Sequence, residues 1–248
     1  MTATLEVRNV CKSFGGVIAN KDVCLSVPSG KITGLIGPNG SGKTTLFSSI
    51  VGYHPIDSGS ILFNSQELKY KRVPDIARLG LIRTFQQTRV YAKMNCMQNM
   101  VISMPHAHES ITLMFRQYSP TVFEKAETLL EFVGLYSKRF LLAGDLSFGQ
   151  QKLLEFAMAL MSDPKMLLLD EPTAGINPTL INKMIEYLRR ANTDLGITLF
   201  VIEHNMRVIM ALADHIYCLA HGEVLANGLP KQIQNDRRVI NAYLGANE

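Results

Sequence analysis

Between Gly37 and Thr44 the chain reads GPNGSGKT, the spacing G-x-x-x-x-G-K-T. Glycines at such positions let the backbone curl until successive N–H groups point into a concave anion nest. An apolar strand precedes the loop, and a helix follows it with the positive end of its dipole directed at the nest. Lys43 adds a compact charge for the outer phosphates, and the Thr44 hydroxyl suits a magnesium ion. The natural partner is KMLLLDEP at 165–172. An apolar strand there carries Asp170 to a sheet edge, where its carboxylate can join the magnesium shell. Glu171, one residue on and facing the other way, can polarise a water for attack on a γ-phosphate.

A third stretch, LSFGQQK at 146–152, opens a helix at Phe148 or Gly149. Helix starts present unpaired N–H groups, so this is a second anion site. Ser147 either caps the helix or offers its hydroxyl to a phosphate. One nucleotide has a single γ-phosphate, and the first loop already occupies one side of it. Two chains arranged head to tail, each closing the other's site, satisfy both helix starts.

These residues need elements to position them. From about 147 onward helices alternate with apolar strands: a helix at 149–162, KMLLLD, a helix from NPTLINKMIEYL, ITLFVI, a helix in NMRVIMALA, and HIYCLA. That order implies a parallel sheet covered on both faces, with ligands at the carboxyl ends of its strands. Earlier, TLEVRNV, VCLSV and KITGLIG are expected to form an antiparallel piece, with short strands at SILFN and LIRTF. The stretch from about 90 to 145 is helical in character. In SPTVFEKAETLLEFVGL, Ser119 can cap the start, Pro120 suits the first turn and Gly134 the end.

The bulk numbers fit a globular protein of this kind. The 248 residues are 47% apolar and 19% charged, and the net charge is +4. That charge is spread without a block of like sign, so it implies a solvated surface and no nucleic-acid partner. Cys11, Cys24, Cys96 and Cys218 show no metal-ligand spacing and are expected as reduced thiols. The beginning, MTATLEVRNV, lacks a signal-peptide layout, and no apolar run approaches the ~18 residues of a membrane span. A cytosolic protein is expected, held at any membrane by something else.

GPNGSGKTT, LSFGQQ, LLLDEP and VIEH, in this order and spacing, resemble the ATP-binding subunits of ABC transporters across essentially the whole chain. The resemblance implies an α/β P-loop NTPase core with a mostly parallel sheet, an antiparallel β subdomain and an inserted helical lobe. The core with its β subdomain would be 1–86 and 146–248, and the lobe 87–145. It implies ATP and Mg²⁺ as ligands. Gly37, Pro38, Asn39, Gly40, Ser41, Gly42, Lys43, Thr44 and Thr45 would hold the phosphates. Ser147, Gly149 and Gln150 would contact the γ-phosphate of ATP on the opposite subunit. Gln86 in RTFQQ resembles the glutamine that touches Mg²⁺ or the attacking water, with Gln87 the competing choice. His204 resembles the switch histidine, and Phe14 in KSFGG the aromatic under adenine, with core or turn packing as its alternative. The metal shell would be Thr44, Gln86 and Asp170, and the catalytic groups Glu171, His204, Gln86 and Lys43. Two departures stand out: Asn177 in AGINP where much of the family has Asp, and Phe148 where glycine is commonest. Both bear on communication between sites more than on hydrolysis.

GLIRTFQQTRVY, DEPTAGINP, VIEHNM and NGLPKQIQNDRRVINAYLG together look like the branched-chain amino acid importer subgroup. This resemblance implies a second cassette, identical or not, two membrane permeases and an external solute-binding protein. The chain would sit on the cytoplasmic face of the membrane, with the lobe docked to a permease. Met94, Met97, Met100 and Met104 would serve as an adaptable contact surface or as core. The alternative is a soluble ATPase of the same superfamily working on an assembly scaffold.

Overall fold

The computed structural model describes residues 3–84, 90–104 and 119–244. Its residues form two compact units. The first is built from described residues within Met1–Arg83, Lys165–Thr173 and Leu188–Glu248, the second from those within Thr84–Pro164 and Ala174–Tyr187.

The first unit holds two sheets. Strands β1 (Ala3–Phe14), β2 (Val17–Pro28), β4 (Ser58–Phe63) and β5 (Gln66–Glu67) form an antiparallel sheet in the order β2-β1-β4-β5. A six-stranded sheet runs β10-β9-β3-β8-β7-β6, from β3 (Ile32–Ile36), β6 (Leu81–Arg83), β7 (Met166–Asp170), β8 (Thr198–Ile202), β9 (His215–Ala220) and β10 (Glu223–Gly228). All its pairings are parallel except β9 with β10. The sequences ITGLI, MLLLD and TLFVI are buried at every residue, as expected for strands covered on both faces.

That burial corrects one expectation. KITGLIG does not continue the antiparallel piece: β3 lies between β9 and β8 in the parallel sheet. A strand apolar on both faces has no side to give to water, so a central place suits it better than a half-exposed meander. The antiparallel edge strand β10 also went unforeseen. His221 and Gly222, with φ of +50° and +81°, form the two-residue turn that folds β10 back on β9. Helices α8 (Pro230–Gln234) and α9 (Arg237–Leu244) follow. Helix α1 (Lys43–Ile50) sends Leu46, Phe47 and Ile50 into a core with Leu5, Val7, Leu35, Phe63 and Phe200. The Phe47 and Phe200 rings lie 4.8 Å apart there.

In the second unit, α3 (Cys96–Ile102), α4 (Pro120–Phe132) and α5 (Phe148–Leu160) pack together. Asn95 and Gln98 cap α3 reciprocally. Pro120 opens α4, and Gly134, with φ +71°, ends it. Ser119 is the N-cap residue but accepts no helix N–H; its hydroxyl meets Thr121 Oγ1 at 2.9 Å. Met97 and Met100 are core, while Met94 and Met104 are half-buried, so only part of the methionine run is core. Helix α6 (Pro178–Thr193) starts in this unit. Among the described residues no helix is long and apolar enough to cross a membrane.

Candidate functional site

The loop after β3 is held by contacts that leave no room for side chains. A Cβ on Gly37 would lie 2.0 Å from the Leu219 carbonyl oxygen. On Gly42 it would lie 2.1 Å from the Ala19 carbonyl oxygen. Gly42 has φ +98° and is the N-cap residue of α1, so no side chain caps that helix. Asn20, fully buried, donates its amide to Gly42 O at 3.2 Å. The β9–β10 turn joins through Gly222 N–H to Ser41 O, 3.2 Å. Lys43 donates to Gly37 O at 2.8 Å and Pro38 O at 2.9 Å, and burial pulls its ammonium below the ordinary lysine range. With Ser41 Oγ at 3.3 Å, its partners are neutral oxygens of the loop itself, and an arriving phosphate offers a better one. The glycine cradle, the uncapped helix start and this ammonium together fit a polyphosphate.

Strand β7 ends at Asp170, which is buried, and the chain turns sharply at Glu171 with φ +51°. A non-glycine residue in this left-handed region is strained, a state that clusters at functional sites. Glu171 Oε1 lies 3.5 Å from Nδ1 of His204, which follows β8. So the two candidate catalytic groups, 33 residues apart in sequence, meet because β7 and β8 are adjacent and parallel. Arg83, at the end of β6, donates Nη2–H to Asp170 Oδ2 at 2.7 Å and Nη1–H to Ser48 Oγ at 2.8 Å. Both members of the ion pair are buried, 7% and 2% exposed, so the guanidinium fixes the direction of the carboxylate. Asp170 and the exposed Thr44 supply hard oxygen donors. Such a partial set fits Mg²⁺, which completes its shell with phosphate oxygens and water.

Behind the acids lies a contact that the sequence reading did not include. Glu203, wholly buried, accepts from Thr173 N–H at 3.0 Å and from Thr173 Oγ1–H at 2.6 Å, both on Oε1. Its Oε2 has no hydrogen-bond partner among the described residues. Burial pushes its pKa up, against the opposing pull of the Thr173 bonds. This link ties the turn after Glu171 to the residue before His204. The signal was available as VIEH beside DEPT, but nothing in either segment says that the two meet.

Phe14 is 44% exposed, which rules out the core alternative for it. His54 stands edge-on to its ring at 5.2 Å, and Lys12 Nζ lies 4.9 Å from the ring centroid. Lys12 and Ser13 are in turn held by Asp57, so the ring stands on a braced hairpin base.

In the second unit, Ser147 Oγ accepts Gln150 N–H and Gln150 Oε1 accepts Ser147 N–H, a full capping box at the start of α5. The capping bond uses Ser147 as acceptor, and its hydroxyl proton remains able to donate. Gly149 is buried, and a Cβ there would lie 2.0 Å from Leu180 Cδ2. A side chain there would have to displace the flexible end of Leu180. Phe148 rests against Gly175, and Asn177 Oδ1 caps α6 through Leu180 N–H at 2.9 Å. The amide at 177 does the capping that a carboxylate would. Gln86 and Gln87 lie outside the described residues.

The profile described as "ABC transporter" matches residues 20–174, and one described as "Branched-chain amino acid ATP-binding cassette transporter" matches 223–248. The high-affinity branched-chain amino acid transport ATP-binding protein LivG of Escherichia coli (strain K12) is 36% identical, over 97% of each chain. A probable LivG of Archaeoglobus fulgidus is 37% identical over 98% of this chain and 96% of its own. BraF of Pseudomonas aeruginosa is 35% identical over 97% of each. Among solved structures, the ADP conformation of MJ1267, an ATP-binding cassette of an ABC transporter, superposes with TM-score 0.89. It is 33% identical, over 99% of this chain and 100% of that one.

The buried carboxyl makes a testable demand on stability. Glu203 keeps its proton to higher pH when folded than when unfolded, so the native state binds more protons and stability falls as pH rises through that window. Glu203→Gln keeps an acceptor for Thr173 and has nothing to ionise. Its Tm relative to the unmodified protein is expected to climb as pH rises from the ordinary glutamate range, about pH 4, toward neutrality. A gap that is flat across that range in thermal melts contradicts the assignment.

Proposed function

The chain belongs to the ABC transporter family, and from that premise we propose how its residues divide the work of ATP hydrolysis. It is an ATP-hydrolysing subunit that energises a membrane transporter. The observation that carries the residue assignments is the convergence at one sheet edge. Neighbouring strands β3, β8 and β7 end in the phosphate loop, His204 and the Asp170–Glu171 pair respectively.

In this reading the loop amides from Gly40 to Thr45 cradle the phosphates, and Lys43 exchanges its carbonyl partners for phosphate oxygens. Asp170, with Thr44 and Gln86, would hold Mg²⁺, which when bound offsets charge on the β- and γ-phosphates. Glu171 takes the proton of the attacking water, and His204 holds the Glu171 carboxylate and the γ-phosphate in line. Adenine stacks on the exposed Phe14 ring. The start of α5, with Ser147, Gly149 and Gln150, closes the γ-phosphate of a facing cassette, identical or not. ATP is then a bridge between two chains, and hydrolysis removes it. The helical second unit would pass that change to permease subunits on the cytoplasmic face of the membrane.

Similarity to LivG and BraF over nearly the whole chain, together with the match at 223–248, supports branched-chain or related amino acids as the cargo, moved inward with an external solute-binding protein.

Glu171→Gln removes the base and keeps the cradle. It is expected to bind ATP normally, to cut turnover about 10²- to 10⁴-fold and to accumulate a closed dimer on gel filtration with ATP. Normal turnover by this variant would refute the base assignment. For the cargo, the chain should co-purify with integral membrane permeases, and leucine, isoleucine or valine with the binding protein should stimulate ATP turnover in proteoliposomes. Co-purification with a soluble scaffold instead would refute the transport reading.

A further inference from the structure

The C-terminal helix reaches the first residue of the phosphate loop. The Tyr243 phenol oxygen, on α9, accepts the Gly37 N–H at 2.8 Å across 206 residues of sequence. We propose that Tyr243 is a positioning residue for the phosphate loop, so that the C-terminal segment sets nucleotide affinity.

Three observations carry this. First, Gly37 is the hinge where β3 becomes the loop, and its φ of +149° is backbone that side chains rarely adopt. Second, the Leu219 carbonyl of β9 lies close against the same hinge, so β9 and α9 both restrain it. Third, the phenol is half-buried, and burial pushes its pKa up to about 12, so it remains a neutral hydroxyl at any physiological pH. Val239, buried on the same helix, seats α9.

The Gly37 N–H points at Tyr243 and so is not one of the amides that face a phosphate. It needs its own acceptor whether or not nucleotide is present. With the phenol in place the free loop is already shaped for its ligand. Without it the N–H must turn toward water, the free loop samples more shapes, and binding bears the cost of ordering it. Residues 223–248, which match the branched-chain cassette profile, would then take part in nucleotide binding.

This inference rests on the phosphate-loop assignment above. Its test is Tyr243→Phe in the full chain, which deletes one hydroxyl and keeps the ring. The Kd for ATP and the Kd for ADP, read with fluorescent analogues, should rise by the same factor, about three- to tenfold. The KM for ATP should rise in step while kcat stays within about twofold. Ile240→Ala, an exposed position on the same helix, should leave all four constants unchanged. Unchanged Kd values with a lowered Tm would make Tyr243 merely structural and overturn the proposal. So would a fall in kcat at constant KM. Failure of the unmodified chain to bind Mg·ATP would instead remove the phosphate-loop assignment on which the proposal stands.

Discussion

The site depends on one constraint: backbone must meet backbone where the phosphate loop crosses its neighbours. Gly37 lies against the Leu219 carbonyl and Gly42 against that of Ala19, with no space for one further carbon at either place. Those carbonyls belong to β9 and β2, one from each sheet of the first unit. Both sheets therefore have to be in place before the loop can take its curl. Asn20 and Gly222 add hydrogen bonds from the same two directions. The conformational entropy that a glycine-rich loop would otherwise retain is removed by this packing before any ligand arrives. An anion nest shaped in this way binds without first having to be ordered.

The acids are held by a second, polar layer. Arg83 orients Asp170, and Glu203 ties Thr173 to the approach of His204, so the strained turn at Glu171 is braced on both sides. Buried charges of this kind do little for net stability compared with apolar packing of the same volume. Their role here is direction: a carboxylate that is to meet a metal, and one that is to meet a water, must each keep a single orientation.

What the sequence made legible was whatever is local. The phosphate loop, the DE pair and the LSFGQ turn each carry their chemistry within about ten residues, and strands such as MLLLD announce burial on both faces. The meeting of Glu171 with His204 was not legible, because it depends on which strands are neighbours. The place of β3 was misread because alternation in the preceding strands was extended one strand too far. Arg83, Glu203 and Tyr243 were not legible as site residues. An arginine ending a strand, a glutamate beside a histidine and a tyrosine on an amphipathic helix are all ordinary surface or core choices. Only the fold brings Tyr243 to Gly37. Gly149 was read as anion chemistry, and the fold also sets it close against the Leu180 side chain.

The most direct test of the central constraint is nucleotide affinity in Gly42→Ala. Its added methyl group would fall 2.1 Å from the Ala19 carbonyl on backbone at φ +98°, so the loop must open to admit it. The account predicts a folded protein, with unchanged far-ultraviolet circular dichroism, whose Kd for ATP by titration calorimetry is weakened about 100-fold or more. A Gly42→Ala protein that binds ATP as tightly as the unmodified chain would show that close backbone packing does not shape the nest.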